Sequence, residues 1–337
     1  MTRRGSAFLV FVLALTIAFV ANLSLGASII APNDIRAAFF QFDADNYDHF
    51  IVVYQRLPRV LIAVFTGSVM ACGGAVLQGL MRNPLASPTL LGVNAGATLF
   101  VVGGVIFFGI SSASQGLVAL IGGAVGFAIC LVVARMSGMD GNPKGLSLIL
   151  SGAVVSMLLI GIANAFLLSS PELRNEFLGW MSGNINHVYF DRLELLWPVG
   201  VIGMGVLLVL SRALSLIALG SEKASSAGVN VTLVSRLAVG AVVLSCSAAV
   251  AICGPVGFVG LVVPHIVRPL VGANQTAVIP GCILVGATVC LIADMIARMA
   301  FAPFVLHTGL MMDMVGGVVF AIIVRRYYLT PGLRRSL

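Results

Sequence analysis

The chain has 337 residues, of which 59% are hydrophobic and only 9% are charged, and its formal net charge is +7. In a water-soluble domain about a quarter of the residues are charged, so the composition excludes an ordinary soluble domain. Apolar runs of roughly 20 residues, the length that crosses a bilayer, recur along the whole chain. We therefore expect one all-α integral membrane domain over residues 1–337, with no soluble domain inserted.

About ten transmembrane helices are predicted. The runs cover approximately residues 8–26, 58–81, 90–109, 116–135, 145–168, 194–213, 231–253, 256–267, 277–297 and 305–324. The first run follows Arg3 and Arg4 and is longer than a typical signal-peptide core, so we favour an uncleaved span. The eighth run is too short to span alone and contains Gly257, Gly260 and Pro264, which predicts a broken or partly re-entrant helix.

The positions of the charged residues predict the orientation. With the N-terminus inside, thirteen of the nineteen Lys and Arg residues lie in inner segments, as the positive-inside rule requires. Most acidic residues lie in two long outer loops, 27–56 and 169–193, and both termini are then cytoplasmic. The net charge thus reflects topology, and we expect no nucleic-acid partner.

Residues that could carry chemistry are few. The six cysteines lie inside apolar runs without metal or redox spacing, and no phosphate-binding G-x-x-x-x-G-K-[ST] loop occurs. We expect no enzyme activity, no metal site and no cofactor. The candidate intramembrane acids are Asp294 and Asp313, and Asp294 has the spacing for an ion pair with Arg298 one turn later.

The segment Leu219–Val229, LGSEKASSAGV, is polar although it lies between two long apolar runs. It is an inner loop rich in helix formers and interrupted by Gly220 and Gly228, which predicts two short helices along the membrane surface. Because the chain has no phosphate-binding loop of its own, a separate soluble protein that hydrolyses nucleotide could move these helices.

This segment resembles the LGxxxAxxLGV sequence in the permease subunits of metal-chelate ABC importers, which take up iron–siderophores, haem and cobalamin. Ala227 stands where that family usually has Leu. Other motifs of the family are Arg56-Leu57-Pro58-Arg59, Arg82-Asn83-Pro84-Leu85-Ala86, the run GPVGFVGLVVPH from Gly254 to His265, and Ala293-Asp294 with Ala297-Arg298. The likeness extends from about residue 20 to 326.

The resemblance implies a type II ABC importer permease, which pairs as a dimer and passes its ligand along the two-fold axis. The implied partners are a second permease copy, identical or related, two ATPase subunits that hold ATP and Mg²⁺, and a periplasmic or surface substrate-binding protein. The implied coupling segment is 214–230, with the ATPase-coupling residues Leu219, Gly220, Ser221, Glu222, Lys223, Ala224, Ala227 and Gly228.

Three further groups of residues receive expected roles. Arg56, Arg59 and Arg298 are expected at the outer interface, exposed to glutamates of the binding protein or to lipid phosphates. Ser151, Ser156 and Asn164 of the fifth run either line the ligand path or pack against neighbouring helices. A structural role is expected for Arg82, Asn83, Pro84, Gly254, Pro255, Gly257, Pro264 and His265, with Pro84 ending the second span and Asn83 capping the next turn.

The last span departs from the family pattern. Val305-Leu306-His307-Thr308-Gly309 replaces the usual Glu-Leu-Pro-Val-Gly, and Asp313 lies about two turns below His307. Asp313 either contacts ligand or braces the helix, and bracing is favoured. An iron–siderophore is the preferred cargo, with haem or cobalamin as the alternatives. An ion-gradient-driven carrier and a membrane receptor without transport are the competing functions.

Overall fold

In a computed structural model, the described residues are 3–26, 28–136, 146–300 and 306–325, and they contain helices and no strand. The α-helices in this part of the chain are α1 Arg3–Ser24, α2 Pro32–Phe40, α3 Tyr47–Phe50, α4 Leu57–Met81, α5 Val93–Phe108, α6 Ser112–Met136, α7 Leu146–Ser169, α8 Pro171–Met181, α9 Phe190–Val209, α10 Ser211–Leu219, α11 Ser221–Ser226, α12 Val231–Cys253, α13 Val259–Val271, α14 Gln275–Met299 and α15 Thr308–Val324. The all-α prediction is confirmed.

Every predicted apolar run coincides with an apolar helix. Seven helices in the described residues are long and apolar enough to cross a membrane, and three shorter ones, α5, α13 and α15, correspond to the third, eighth and tenth runs. Helix α13, in the eighth run, has 13 residues and extends for only about 20 Å, which agrees with a run too short to span alone; the partly re-entrant path stays a prediction. The number of helices that cross the bilayer stays a prediction.

The predicted outer loops contain more helix than expected. Residues 27–56 include α2, α3 and a π-helical turn, Ile51–Arg56, that continues directly into α4. The resulting helical run, Tyr47–Met81, has 35 residues. Residues 169–193 likewise include α8 and the beginning of α9. The sequence did not show these helices because their polar residues interrupt the apolar pattern, and the placement of both segments outside the membrane stays a prediction.

Helix α4 forms the centre of the bundle and packs against α14, α12, α13 and α9. It crosses α14 closely, and a Cβ added at Gly67 would overlap the backbone carbonyl of Gly286. A second close crossing brings Gly74 of α4 against the backbone of Gly260 in α13. Small residues at these points let the backbones approach, which is how membrane helices gain packing energy.

Candidate functional site

The inner polar segment forms an elbow of two short helices, as predicted. Helix α10 ends at Leu219 and α11 begins at Ser221, and Gly220 between them has φ 145° and ψ 134°. Only glycine adopts this conformation without strain. Ala224 is fully buried, whereas Glu222 and Lys223 are exposed. Helix α10 therefore packs through Ser211, Leu214 and Ile217 and α11 through Ala224, while the charged residues of α11 point outward.

Side-chain hydrogen bonds connect α10 to two membrane helices. Arg82, the C-cap of α4, donates from Nη2 to the carbonyl oxygen of Ile217 at 3.0 Å. Ser215 donates to Asn274 Oδ1 at 2.7 Å and accepts from the backbone N–H of Gln275 at 3.0 Å. Because Asn274 and Gln275 begin α14, displacement of the elbow would pull on the inner ends of both α4 and α14.

The Arg82-Asn83-Pro84 motif has the expected structural role, but the details differ. Helix α4 ends at Met81 because Arg82 takes a left-handed conformation, φ 47°, so the prediction that Pro84 ends the helix was wrong. Asn83 Oδ1 accepts a hydrogen bond from the Leu85 N–H at 3.0 Å, which is an Asx turn. The guanidinium group that this turn positions is the one that bonds to Ile217.

We call the end of the bundle that carries Arg59 the outer end, following the charge pattern. There Arg59 donates to both carboxylate oxygens of Asp294, at 2.8–3.0 Å. Arg298 forms the predicted ion pair with Asp294 at 3.2 Å, and Thr308 of α15 donates to the same carboxylate at 2.9 Å. The side chain of Asp294 is only 1% exposed, so this carboxylate joins α4, α14 and α15 inside the protein.

Arg56 lies beside this group and is 6% exposed. Its guanidinium donates to the backbone carbonyls of Leu23, Ser24 and Ser28 at 2.6–2.8 Å. The expectation that Arg56, Arg59 and Arg298 are exposed groups was wrong, since all three bond within the chain. Together with Asp294 they form what we call the outer arginine cluster, in which Arg59 and Arg298 pair with the carboxylate and Arg56 lies beside them on backbone carbonyls.

His307 precedes α15 and lies close to the outer arginine cluster. Burial lowers the pKa of His307 below its ordinary value of 6.5, and the positive charge of Arg59 lowers it further. A second positive charge is unfavourable beside this guanidinium group.

A cavity of about 480 Å³ also lies at the outer end, lined by Ser112, Gln115, Phe177, Trp180, Val188, Tyr189, Asp191 and Arg192. Arg192 is buried, donates to Gln115 Oε1 at 2.7 Å and stacks on the Tyr189 ring with its Cζ 4.8 Å from the centroid. No ion pair of Arg192 occurs in the part of the chain that the structure describes. Arg192 therefore adds another uncompensated cation to this end.

The three candidate path residues on α7 do not share one environment. Ser151 is 6% exposed, and its neighbour Gly152 would overlap the Leu90 carbonyl if it carried a Cβ. Ser156 Oγ is buried without a hydrogen-bond partner, whereas Asn164 is exposed. The geometry of Ser151 and Ser156 fits helix packing, the alternative left open by the sequence, and Asn164 alone lies on an open face.

The turn between α12 and α13 supports the outer half of the last span. Gly254 has φ 80° and leaves no room for a Cβ beside the carbonyl of Trp180. The Pro255 carbonyl lies against Gly183, which in turn accepts a hydrogen bond from the Gly309 N–H at 2.7 Å. The turn thus connects α12 to the beginning of α15 through the segment that follows α8.

Two other members of this motif lie inside α13. Pro264 is buried, and His265 bonds through Nδ1 to the carbonyl of Leu261 one turn earlier at 2.8 Å. No group of three or more potential metal-ligating side chains occurs among the described residues, so His265 has no neighbours there with which to hold a metal ion. Its observed contact is local to the helix.

Sequence reasoning missed several partners that lie far apart in the chain. Asn22 of α1 donates to the Leu291 carbonyl at 3.0 Å and accepts from Arg298 Nη2 at 2.7 Å. Gln78 of α4 accepts from Arg268 Nη1 at 2.6 Å and donates to the Gly260 carbonyl at 3.2 Å. An amide within an apolar run is the one sequence signal that marks Asn22 and Gln78.

Comparisons with known proteins agree with this architecture. A family model described as the FecCD transport family matches residues 14–326. The chain belongs to the FecCD transport family. It is 37% identical over 328 residues to the Fe(3+)-citrate import system permease protein YfmD of Bacillus subtilis, covering 96% of each chain. It is 32% identical to the Fe(3+) dicitrate transport system permease protein FecD of Escherichia coli, covering 93% of this chain and 96% of the relative.

A solved structure described as an inward-facing conformation of a metal-chelate type ABC transporter superimposes with a TM-score of 0.80 at 26% identity, covering 96% of this chain and 99% of that one. The architecture is thus that of a metal-chelate ABC permease. With its membrane-spanning helices, this FecCD member is a multi-pass protein of the bacterial inner membrane, and its family is one of transport subunits.

Proposed function

We propose that this FecCD member is the permease subunit of an ATP-driven importer, and that it passes an iron–siderophore or a similar ferric chelate from a binding protein to the cytoplasm. The observation that carries the proposal is the exposed elbow of α10 and α11. A glycine-hinged helix pair whose second helix, α11, is short and polar has, in so apolar a chain, the form of a docking surface for a soluble ATPase.

The contacts of the elbow explain how a movement caused by the ATPase would be transmitted to the helix bundle. An ATPase that moves α11 displaces α10, and α10 is hydrogen-bonded to Arg82 at the end of α4 and to Asn274 and Gln275 at the beginning of α14. Helices α4 and α14 pack tightly along their length. They therefore move together, and Asp294 transmits their tilt to α15 at the outer end.

The outer end offers a partly buried positive surface to a binding protein. Arg59 and Arg298 share the single carboxylate of Asp294, Arg56 bonds to backbone carbonyls beside them, and Arg192 lies at the same end of the bundle. Acidic groups of a binding protein would be attracted over a distance of about 8 Å at physiological salt. Salt bridges between these arginines and the binding protein would require the arginines to break their hydrogen bonds to acceptors within this chain. The proposed docking role therefore depends on the electrostatic attraction that the outer arginine cluster exerts at a distance.

The cargo and its path are proposed from the similarity of this chain to the permeases named above. The relatives named above import ferric citrate, and ferric chelates are the cargo class proposed here, carried between this chain and a second permease copy. ATP and Mg²⁺ would be held by the separate ATPase, and this chain would change no bond in the cargo.

Co-purification with the ATPase from detergent tests the assignment. We expect wild-type permease to recover the ATPase, and the double charge reversal Glu222→Arg with Lys223→Glu to lose most of it while the thermal stability of the permease is unchanged. The matched control is the reversal Asp43→Arg in the outer segment, which should not affect recovery. Equal recovery with all three proteins, or no recovery with any, would contradict the proposed docking surface.

A further inference from the structure

The carboxylate of Asp313 lies in an unusual place for a membrane helix. Asp313 is exposed on the surface of the isolated chain, five residues after the beginning of α15, or about 7.5 Å along the helix axis. Leu310 and Met314, which lie next to it on the helix surface, are apolar and 41% and 61% exposed. The carboxylate therefore interrupts an apolar face well inside the helix.

Asp313 has no arginine or hydroxyl partner of the kind that Asp294 has. No hydrogen bond or ion pair connects it to any described residue, and its Oδ1 lies against the Cα of Gly257, where a Cβ would overlap it. Gly257 belongs to the turn before α13. The favoured expectation that Asp313 braces α15 against a neighbour therefore lacks a bond to support it within the described chain.

Lipid is a very unfavourable environment for this side chain. An acidic group at hydrocarbon depth costs several kcal/mol unless it meets water or a partner, and aspartate is too short to reach the interface from more than one turn inside a helix. The exposed face of α15 around Asp313 must therefore turn toward water held within the assembled transporter. A second copy facing this surface across a water-filled space provides such an environment.

We propose that Asp313 lines a water-filled path between this chain and a second copy, and that its negative charge favours neutral or cationic chelates over anionic ones. The proposal rests on the proposed transport function for its cargo, whereas the position of Asp313 can be tested without transport. With two copies, two carboxylates would face the same space, and an anionic complex such as ferric citrate would be repelled by both.

Cysteine labelling in membrane vesicles of mixed orientation tests the position. Gly317 lies one turn after Asp313 on the same face, and a side chain at this position meets open space, so Gly317→Cys is the reporter. All six native cysteines are buried. The matched control is Gly205→Cys on α9, where a side chain also meets open space among exposed apolar neighbours.

We expect membrane-impermeant methanethiosulfonates to modify Gly317→Cys and to leave Gly205→Cys unmodified, with a membrane-permeant maleimide reacting at both. The ratio of the rates with a cationic and an anionic reagent should fall about threefold to tenfold when Asp313→Asn is added, as expected for a charge one helical turn away in a largely aqueous space. Leu310→Cys is the second reporter if Gly317→Cys does not accumulate. Protection of the reporter from both charged reagents, or an unchanged ratio, would overturn the proposal.

The cargo preference is measured with the complete importer. We expect Asp313→Asn to raise the uptake of ferric citrate, relative to that of a neutral ferric trihydroxamate, by about threefold to tenfold, the same factor as in labelling. An unchanged relative uptake would refute the charge selection. Because the labelling needs neither ATP nor cargo, a failure of the transport assignment leaves the labelling result interpretable by itself.

Discussion

The ion-pair group around Asp294 gives the sharpest prediction for the stability of the bundle. Asp294 receives three hydrogen bonds from Arg59, one from Thr308 and an ion pair from Arg298. Asp294→Asn keeps the shape of the side chain and removes the charge, which leaves two guanidinium groups only 12% exposed without a counterion. Removing one partner of a buried ion pair costs about 3–5 kcal/mol.

The assay is the midpoint of thermal unfolding in detergent, followed by size-exclusion chromatography after heating. At roughly 2–4 °C per kcal/mol, Asp294→Asn should lower the midpoint by at least about 6 °C. Asp313→Asn is the matched control, because that carboxylate has no described partner, and its midpoint should remain close to that of the wild type. Equal midpoints for the two variants would refute the reasoning.

A double variant separates the loss of charge balance from a general loss of packing. Adding Arg59→Gln to Asp294→Asn removes one of the uncompensated cations, so part of the lost stability should return, and the coupling energy of the mutant cycle should exceed about 1 kcal/mol. Strictly additive effects would show that Asp294 and Arg59 act independently.

Two further predictions concern packing and pH. Gly67→Ala should lower the free energy of unfolding by about 1–3 kcal/mol, because the new methyl group overlaps the Gly286 carbonyl. The assay is the same unfolding midpoint. Gly240→Ala is the control and should be tolerated, since a side chain there meets open space. The lowered pKa of His307 means that the folded protein binds this proton less readily than the unfolded chain, so the contribution of His307 to stability should be fully present above about pH 6.5 and decline as pH falls below it. His307→Gln should flatten that decline, and an unchanged pH profile would contradict it.

Local features of the sequence were sufficient to predict much of this fold. The ten apolar runs mark ten helices because burial in lipid leaves a continuous apolar pattern. The elbow was predictable because Gly220 and Gly228 punctuate a polar segment, and the Asp294–Arg298 pair because residues four apart share a helix face. Each of these signals lies within one or a few turns of chain.

The remaining features depend on contacts between distant segments. Arg59 and Asp294 are 235 positions apart, and no local spacing shows that they meet. The sequence therefore predicted that Arg59 would pair with an anion outside this chain. Helices α2, α3 and α8 were missed because each is short and partly polar. Asp313 was recognised as unusual, but its open surroundings became evident only once α15 and the turn at Gly257 were placed together.

The central claim is that mechanical work enters this chain from a separate ATPase through the elbow of α10 and α11. The most direct measurement is accumulation of a radiolabelled ferric chelate in proteoliposomes that contain the permease, its ATPase and its binding protein, with no ion gradient across the membrane. We predict that ATP supports accumulation, and that an ATPase with a disabled phosphate loop supports none. Accumulation that persists with the disabled ATPase, or that requires an imposed proton or sodium gradient, would contradict the account.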